Sequence, residues 1–301
     1  MKKGILLLAI LFVFSCKNET KSNGKLNVVT STTMITDLVK NIGGDYINVE
    51  GLMGSGVDPH LYKASEGDVT KLVNADVIFY NGLHLEGKLV EIFEKMDSDK
   101  ETIALADEIN KKQLIVSEYF ASNYDPHVWF DINFFKQFVE KVTIVLSEKD
   151  PINAEKYREN EKRYLADLNK LDEDVQGVVD VLPKEKRILV TAHDAFNYFG
   201  KAYDFEVVGL QGLSTATEAG VQDVQKLAAF IIDKKIKAIF IESSVPKRTI
   251  EALQAAVKSK GHDVVIGGTL YSDALGNAGT AEGTYVGMYR YNIKTIVSAL
   301  Q

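Results

Sequence analysis

Two copies of the tripeptide Asp-Pro-His are the part of this sequence best suited to bind a ligand. They end at His60 and His127, 67 residues apart, in a chain with only five histidines. Proline fixes its own φ angle and pushes the preceding residue towards extended backbone, so each copy presents its histidine from a stiff loop. Metal sites tolerate little variation in ligand distance, and a stiff loop meets that need. The repeat therefore predicts two ligands of one metal site.

Two further candidate ligands follow predicted strands in the second half of the chain. His193 ends the run 187–192, and Asp273 comes shortly after the run 264–267. Ligands of open α/β sheets bind beyond the carboxyl ends of the strands. We therefore expect these two residues and the two Asp-Pro-His histidines to converge on one ion in a cleft, two from each half. Each of the four also has a purely structural interpretation, as a loop residue, a helix cap or a turn.

Other polar residues near the predicted strand ends have weaker signals. His84 follows a strand and competes for a ligand role, although a place in the cleft wall fits it as well. His262 follows a helix C-terminus, where it can complement the helix dipole, and we interpret it as structural. Candidates to support the ligands from behind are Glu242, Asp58 and Asp194, each of which could equally be a structural cap.

The predicted donor set limits the choice of metal. Three imidazoles and one carboxylate suit a borderline divalent cation and offer too few oxygens for calcium or magnesium. One borderline divalent ion is therefore the expected ligand, and intrinsic affinity favours Zn²⁺ over Mn²⁺. Because binding needs neutral imidazoles, we expect affinity to weaken below about pH 6.5.

Alternation of short apolar runs with helical patterns predicts an α/β fold with parallel sheets. We expect two lobes, each a mainly parallel four-stranded sheet flanked by helices, joined by one long rigid helix. The predicted strands are Leu26–Ser31, Ile47–Met53, Val77–Asn81, Thr102–Ala106, Arg187–Ala192, Glu206–Gly209, Ala238–Glu242 and Val264–Gly267. The predicted units are an N-terminal lobe at 26–150, a connecting helix at 151–182 and a C-terminal lobe at 183–301.

The connecting helix is predicted from its start signal and its apolar periodicity. Asp150 as N-cap and Pro151 at the first position begin it, and apolar residues then recur at three- and four-residue steps up to Leu182. Its predicted length is about 45 Å, which favours a strut over a flexible linker. A long helix within a single larger domain is the alternative.

The N-terminus resembles a bacterial lipoprotein leader. Residues 1–15 combine two lysines with a short apolar run, and Cys16, the only cysteine, follows directly. Cleavage before Cys16 and its acylation would leave 16–25 as a polar tether; the alternative is an ordinary leader with a chance cysteine. The formal net charge is −7, or −9 without the two leader lysines, which disfavours nucleic acid as a partner.

Long segments also resemble a known family. They are GVDPHLYKASEGDVTKL, NGLHLEG, DPHVWFD, TAHDAFNYFGKAYDFE, STATEAGVQDVQKLAAFI, AIFIESSVP, GHDVVIGGTLYSDALG and GTYVGMYRYNI. In the same order they resemble the zinc/manganese solute-binding lipoproteins of bacterial ABC importers (cluster A-I), closest to the TroA-like branch. The resemblance spans essentially the whole mature chain.

The resemblance implies a lipid-anchored, extracytoplasmic monomer that holds one metal ion between two α/β lobes and passes it to a membrane permease with its ATPase. The family's ligand positions fall on His60, His127, His193 and Asp273. Manganese-dedicated relatives commonly carry glutamate where His193 stands, which favours zinc or a mixed zinc/manganese site. Zinc relatives often carry a histidine-rich loop before the second histidine, whereas residues 107–126 contain no histidine.

Three other functions compete with metal capture. A metal-dependent hydrolase would need an open coordination position, which four protein ligands do not leave, and the chain has no His-Glu-x-x-His motif. A surface adhesin is compatible with a lipid anchor but leaves the four candidate ligands unexplained. A siderophore or cobalamin receptor would need a wide aromatic or basic cleft. We therefore predict a binding protein and not an enzyme.

Overall fold

The computed structural model describes residues 24–96, 100–118 and 120–301, so the predicted leader and Cys16 lie outside the described residues. The first half contains one four-stranded parallel sheet with strand order β2-β1-β3-β4. Its strands are β1 (Leu26–Thr30), β2 (Ile47–Gly51), β3 (Val77–Tyr80) and β4 (Glu101–Ala104). The four strands predicted from apolar runs in this half are therefore present, most of them one or two residues shorter than predicted.

The second half differs from the prediction of one four-stranded sheet. Its strands are β5 (Ile188–His193), β6 (Glu206–Gln211), β7 (Ala238–Glu242) and β8 (Val265–Leu270). Among the described residues they pair as two parallel two-stranded sheets, β5-β6 and β7-β8. Strands β5 and β7 lie side by side, but the N–H of His193 donates to the Glu242 side chain rather than to a strand carbonyl. A side chain thus occupies part of the position where a continuous ladder would form.

Nine helices in the described part of the chain flank and connect these strands. They are α1 (Thr33–Gly43), α2 (Glu66–Asn74), α3 (Val90–Met96), α4 (Ile132–Lys149), α5 (Ala154–Val179), α6 (Asn197–Tyr203), α7 (Val221–Asp233), α8 (Arg248–Ser259) and α9 (Tyr285–Leu300). Helix α2 begins with a capping box, which Ser65 and Asp68 form. No helix in the described ranges is both long and apolar enough to cross a bilayer.

The long helix α5 lies between the two groups of strands and has 26 residues, or about 39 Å at 1.5 Å per residue. It begins later than predicted, at Ala154, because residues 151–153 form a turn. Asp150 is therefore not its N-cap; its carboxylate instead accepts hydrogen bonds from Tyr157 and Asn153. The domain boundaries derived from the sequence stay a prediction.

The main hydrophobic core is continuous across the molecule. It joins Val28 of β1, Phe135 of α4, Leu171 of α5, Phe240 of β7 and Tyr289 of α9. Each half also has one smaller hydrophobic cluster under its outer helices. Because α5 contributes an apolar face to the shared core, the two halves are packed together on one side, and the strand ends face a common region on the other.

Candidate metal centre

Four buried side chains meet where the strand ends of the two halves face each other. One donor atom from each of His60, His127, His193 and Asp273 lies within 4.8 Å of the others. The Nε2 atoms of His60 and His127 are 3.3 Å apart, and Nε2 of His193 is 3.2 Å from Oδ2 of Asp273. All four residues are at most 5% exposed. The structure thus brings together all four residues that the sequence singled out as candidate ligands.

Each of the four residues follows a strand, as parallel-sheet topology requires of a site at this edge. His60 lies within the loop between β2 and α2, and His193 is the last residue of β5. Asp273 stands three residues beyond β8. His127 comes after a longer connection from β4 and immediately precedes a single 3-10 turn at Val128–Phe130.

The two Asp-Pro-His motifs form the same local structure. Oδ1 of Asp58 accepts the N–H of His60 at 2.8 Å, and Oδ1 of Asp125 accepts the N–H of His127 at 2.9 Å. An aspartate that bonds the backbone two residues later makes a compact turn, and the proline between them fixes φ. Each histidine is therefore held at its backbone before any ligand arrives.

Carboxylates behind two of the imidazoles orient the rings. Nδ1 of His127 lies 2.7 Å from Oδ1 of Asp125, and Nδ1 of His193 lies 2.6 Å from Oε2 of Glu242. Oε1 of Glu242 also accepts the His193 backbone N–H at 2.8 Å. A carboxylate at Nδ1 places the proton there and leaves Nε2 as the free donor towards the centre.

The three residues predicted to support the ligands have different surroundings. Glu242 contacts the ring and the backbone of His193. Asp58 bonds the backbone N–H of His60, whereas Oδ1 of Asp194 accepts the N–H of Gly209 on the neighbouring strand β6. Asp194 thus supports the end of β5 rather than an imidazole.

Asp125 was not identified from the sequence as a supporting residue. Of the two aspartates in the repeated tripeptide, it is nevertheless the one that lies closer to an imidazole. The signal was available, because Asp125 and Asp58 occupy the same place in the repeated tripeptide. Ser244 was also missed; its hydroxyl donates to Oδ2 of Asp273 at 3.3 Å. No local pattern marks Ser244, because its role depends on the contact between the end of β7 and the segment after β8.

The ionisation of the cluster is uneven. Burial lowers the pKa of His60 to about 3, and the neighbouring imidazoles add to this effect. Burial also disfavours charge on His193, but Asp273 and Glu242 outweigh it and hold the pKa of His193 well above its usual range. Burial would raise the pKa of Asp273, yet the three imidazoles hold it well below its usual range. Without a cation, a proton on His193 therefore balances the carboxylates.

Some donor atoms of the cluster lack a protein partner. Nε2 of His193 and Oδ1 of Asp273 are buried without a hydrogen-bond partner in the described part of the chain. Leaving such atoms unpaired in a protein interior costs free energy. Three imidazole nitrogens and a carboxylate around one point are a ligand set that a borderline divalent cation would satisfy.

The remaining two histidines lie outside this cluster. His84 is exposed and, with His60, Glu91 and Phe120, lines a cavity of about 580 Å³. It therefore belongs to the wall of the approach to His60. His262 is half-buried, with Nε2 3.1 Å from the carbonyl oxygen of Ile236.

Comparison with known proteins agrees with this geometry. Residues 28–299 match the family model of ZnuA, the periplasmic component A of a zinc-uptake complex. The chain is 46% identical over 307 residues to the manganese-binding lipoprotein MntA of Bacillus subtilis, covering 100% of both chains. It is 50% identical over 282 residues to the zinc-binding protein TroA of Treponema pallidum, covering 94% of this chain and 91% of the relative. A solved structure of the periplasmic zinc-binding protein TroA from Treponema pallidum matches with a TM-score of 0.90 at 51% identity, covering 92% of this chain and 99% of that one.

Proposed function

The chain belongs to the ZnuA family of zinc-uptake components, and on that premise we propose that it is the extracytoplasmic substrate-binding protein of a metal ABC importer. It captures one Zn²⁺ or Mn²⁺ ion between its two halves and delivers it to the membrane permease. The ion is cargo that the protein holds and releases.

The proposed ligands are Nε2 of His60, His127 and His193 and the carboxylate of Asp273. The observation that carries this proposal is the convergence of four buried donors, two of which have atoms without a hydrogen-bond partner among the described residues. Four protein donors complete a tetrahedral shell and leave no position for an activated water. This favours tight binding over hydrolysis as the use of the site.

The choice between zinc and manganese follows from donor chemistry and supply. Of the two relatives described above, one is named for manganese and the other for zinc. A site with three imidazoles binds zinc more tightly than manganese, in the usual order of divalent affinities. We propose that this chain binds both ions, zinc with the higher affinity.

Metal analysis tests this function. Protein purified without added metal should contain about one zinc or manganese ion per chain by elemental mass spectrometry. His193→Ala should lose this ion, because it removes a donor and unpairs Glu242. His84→Ala is the matched control, since its exposed ring lies outside the cluster. A wild-type protein with no tight binding of either ion contradicts the proposal.

Localisation and partners are part of the same proposal. Cys16 carries the lipid, the tether 16–25 links it to the fold, and the protein acts as a monomer that contacts the permease directly. The relative from Bacillus subtilis is named a lipoprotein, which supports the anchor. The full-length protein should partition into the detergent phase of a Triton X-114 extract, and Cys16→Ala should move it to the aqueous phase. Equal partitioning of the two proteins contradicts acylation at this cysteine.

A further inference from the structure

The four proposed ligands are attached unequally to the two halves of the molecule. Along the chain, His60 and His127 both precede α5, and His193 and Asp273 both follow it. The hydrogen bonds around them divide the four ligands differently. The second Asp-Pro-His motif is bound mainly by residues that follow α5, whereas the first motif is built on the first sheet.

Helix α6 holds the segment that leads into His127. The side-chain amide of Asn197 donates to Oδ2 of Asp125 at 3.0 Å, and the hydroxyl of Tyr198 donates to the Asp125 carbonyl at 3.0 Å. The same tyrosine hydroxyl accepts the N–H of Ile115 at 3.0 Å. The aspartate that orients His127 is therefore bonded to α6 by two side chains, while its own N–H donates to the Ile115 carbonyl of the first half at 2.9 Å.

The residues just after His127 are held by the second half as well. The indole N–H of Trp129 donates to the carbonyl of Ser272 at 3.1 Å, next to Asp273. The hydroxyl of Tyr285 donates to the Trp129 carbonyl at 2.6 Å, and the hydroxyl of Tyr289 donates to the Phe130 carbonyl at 2.7 Å. All these side chains are buried. From the first half, the Asn81 side chain donates to the Pro126 carbonyl at 2.9 Å.

The first motif has the opposite attachment. The loop that carries His60 begins at Leu52 and Met53, whose N–H groups donate to carbonyls at the end of β1. In the part of the chain that the structure describes, two hydrogen bonds join this loop to the second half. The Thr215 hydroxyl donates to Oδ2 of Asp58 at 2.5 Å, and the hydroxyl of Ser55 donates to the Leu275 carbonyl. Because Oδ1 of Asp58 holds the His60 N–H, the Asp58–Thr215 hydrogen bond ties His60 to the opposite half.

From these attachments we infer that His127, His193 and Asp273 form a preassembled three-ligand unit on the second half, and that His60 is the single ligand that closes and opens the site. Asp58 and Thr215 are positioning residues that hold His60 in the closed arrangement. A small displacement of the first half then removes one ligand and leaves two imidazoles and a carboxylate with an open coordination position. This inference rests on the proposed function and adds the order in which the ligands dissociate from the ion.

Release kinetics test the positioning role of Thr215. Protein loaded with Zn²⁺ is mixed with excess EDTA, and the rate of metal loss is measured for the wild type and for Thr215→Val. Loss of a hydrogen bond to a carboxylate should speed release about tenfold and leave the association rate within about twofold. Thr215→Ser should restore slow release. Thr217→Val is the matched control because Thr217 is exposed. Equal release rates for wild type and Thr215→Val would overturn this role.

Ligand deletion tests the three-plus-one division. His60→Ala should keep measurable Mn²⁺ binding with lower affinity, and the bound ion should enhance water proton relaxation because a water fills the open position. His193→Ala should lose binding. Circular dichroism checks that both variants fold. If His193→Ala does not fold, Asp273→Asn replaces it as the variant that removes a member of the three-ligand unit. If His60→Ala loses binding as completely as these variants, the division is wrong while the proposed function stands. If the wild type binds neither ion, both fail.

Discussion

Replacing Glu242 with glutamine separates the proposed metal site from a simple cluster of buried polar residues. One carboxylate oxygen lies 2.6 Å from Nδ1 of His193, and the other accepts the backbone N–H of His193 at 2.8 Å. Glutamine has nearly the same volume but only one acceptor oxygen. Its amide NH₂ must therefore face one of two N–H donors, at a residue that is only 1% exposed in the wild type.

The magnitude follows from the role of such carboxylates. Loss of a carboxylate behind a metal-binding histidine typically lowers metal affinity 10- to 100-fold, which is about 1.4 to 2.7 kcal/mol. The unpaired donor adds a cost of about 1 to 3 kcal/mol to the free energy of folding, with or without the ion. Glu242→Gln should therefore weaken zinc binding by at least about tenfold and also lower the melting temperature of the metal-free protein.

The assay is calorimetric titration with Zn²⁺ in the presence of a competing chelator, which brings a tight affinity into range. Glu218→Gln is the matched control, because its side chain is 80% exposed and pairs with the exposed Arg248. It should leave both affinity and melting temperature unchanged. A folded Glu242→Gln protein with wild-type zinc affinity would refute the assignment of His193 as a ligand oriented through Nδ1.

Three further predictions concern pH, the contact between halves and a helix cap. Because Asp273 and Glu242 overcome burial and raise the pKa of His193, a cation must displace a proton to bind. Zinc affinity should therefore fall about tenfold per pH unit below that pKa, and the fall should begin above about pH 6.5. Affinity that is flat from about pH 8 to 6 contradicts this. Trp129→Phe should lower the free energy of unfolding in urea by about 1 to 3 kcal/mol, because it leaves the buried Ser272 carbonyl unpaired; an unchanged urea midpoint would show that the hydrogen bond contributes nothing. Asp68→Ala removes half of the capping box of α2 and the acceptor of the Tyr62 hydroxyl, and should cost at least about 1 kcal/mol in the same assay; a urea midpoint equal to that of the wild type would contradict this.

Local patterns were enough to predict the parts of the site that depend on neighbouring residues. The Asp-Pro-His repeat indicated His60 and His127 because proline geometry acts over two or three residues. The strand-end rule indicated His193 and Asp273 because apolar runs reveal where strands finish. The expected onset of pH dependence stays a prediction; the reference pKa of histidine, on which it rests, takes no account of the two carboxylates beside His193.

What the sequence could not reveal depends on contacts between distant segments. Thr215 and Asp58 are 157 residues apart, and no pattern in either loop indicates that they meet. The same holds for Trp129 and Ser272, and for the β5–β7 junction, where Glu242 replaces part of the strand ladder. In the first half, apolar periodicity predicted the sheet well, because there every strand pairs with its neighbour through backbone atoms alone.

The attachment of His127 to α6 and α9 also bears on when the protein can first hold an ion. A ribosome makes Asp125 and His127 well before Tyr285 and Tyr289, which fix the backbone after His127. A nascent chain that emerges N-terminus first therefore has no complete binding pocket until α9 is free to dock. On the proposed function, metal loading thus waits until α9 has left the ribosome, and a shorter nascent chain carries no cargo at this site.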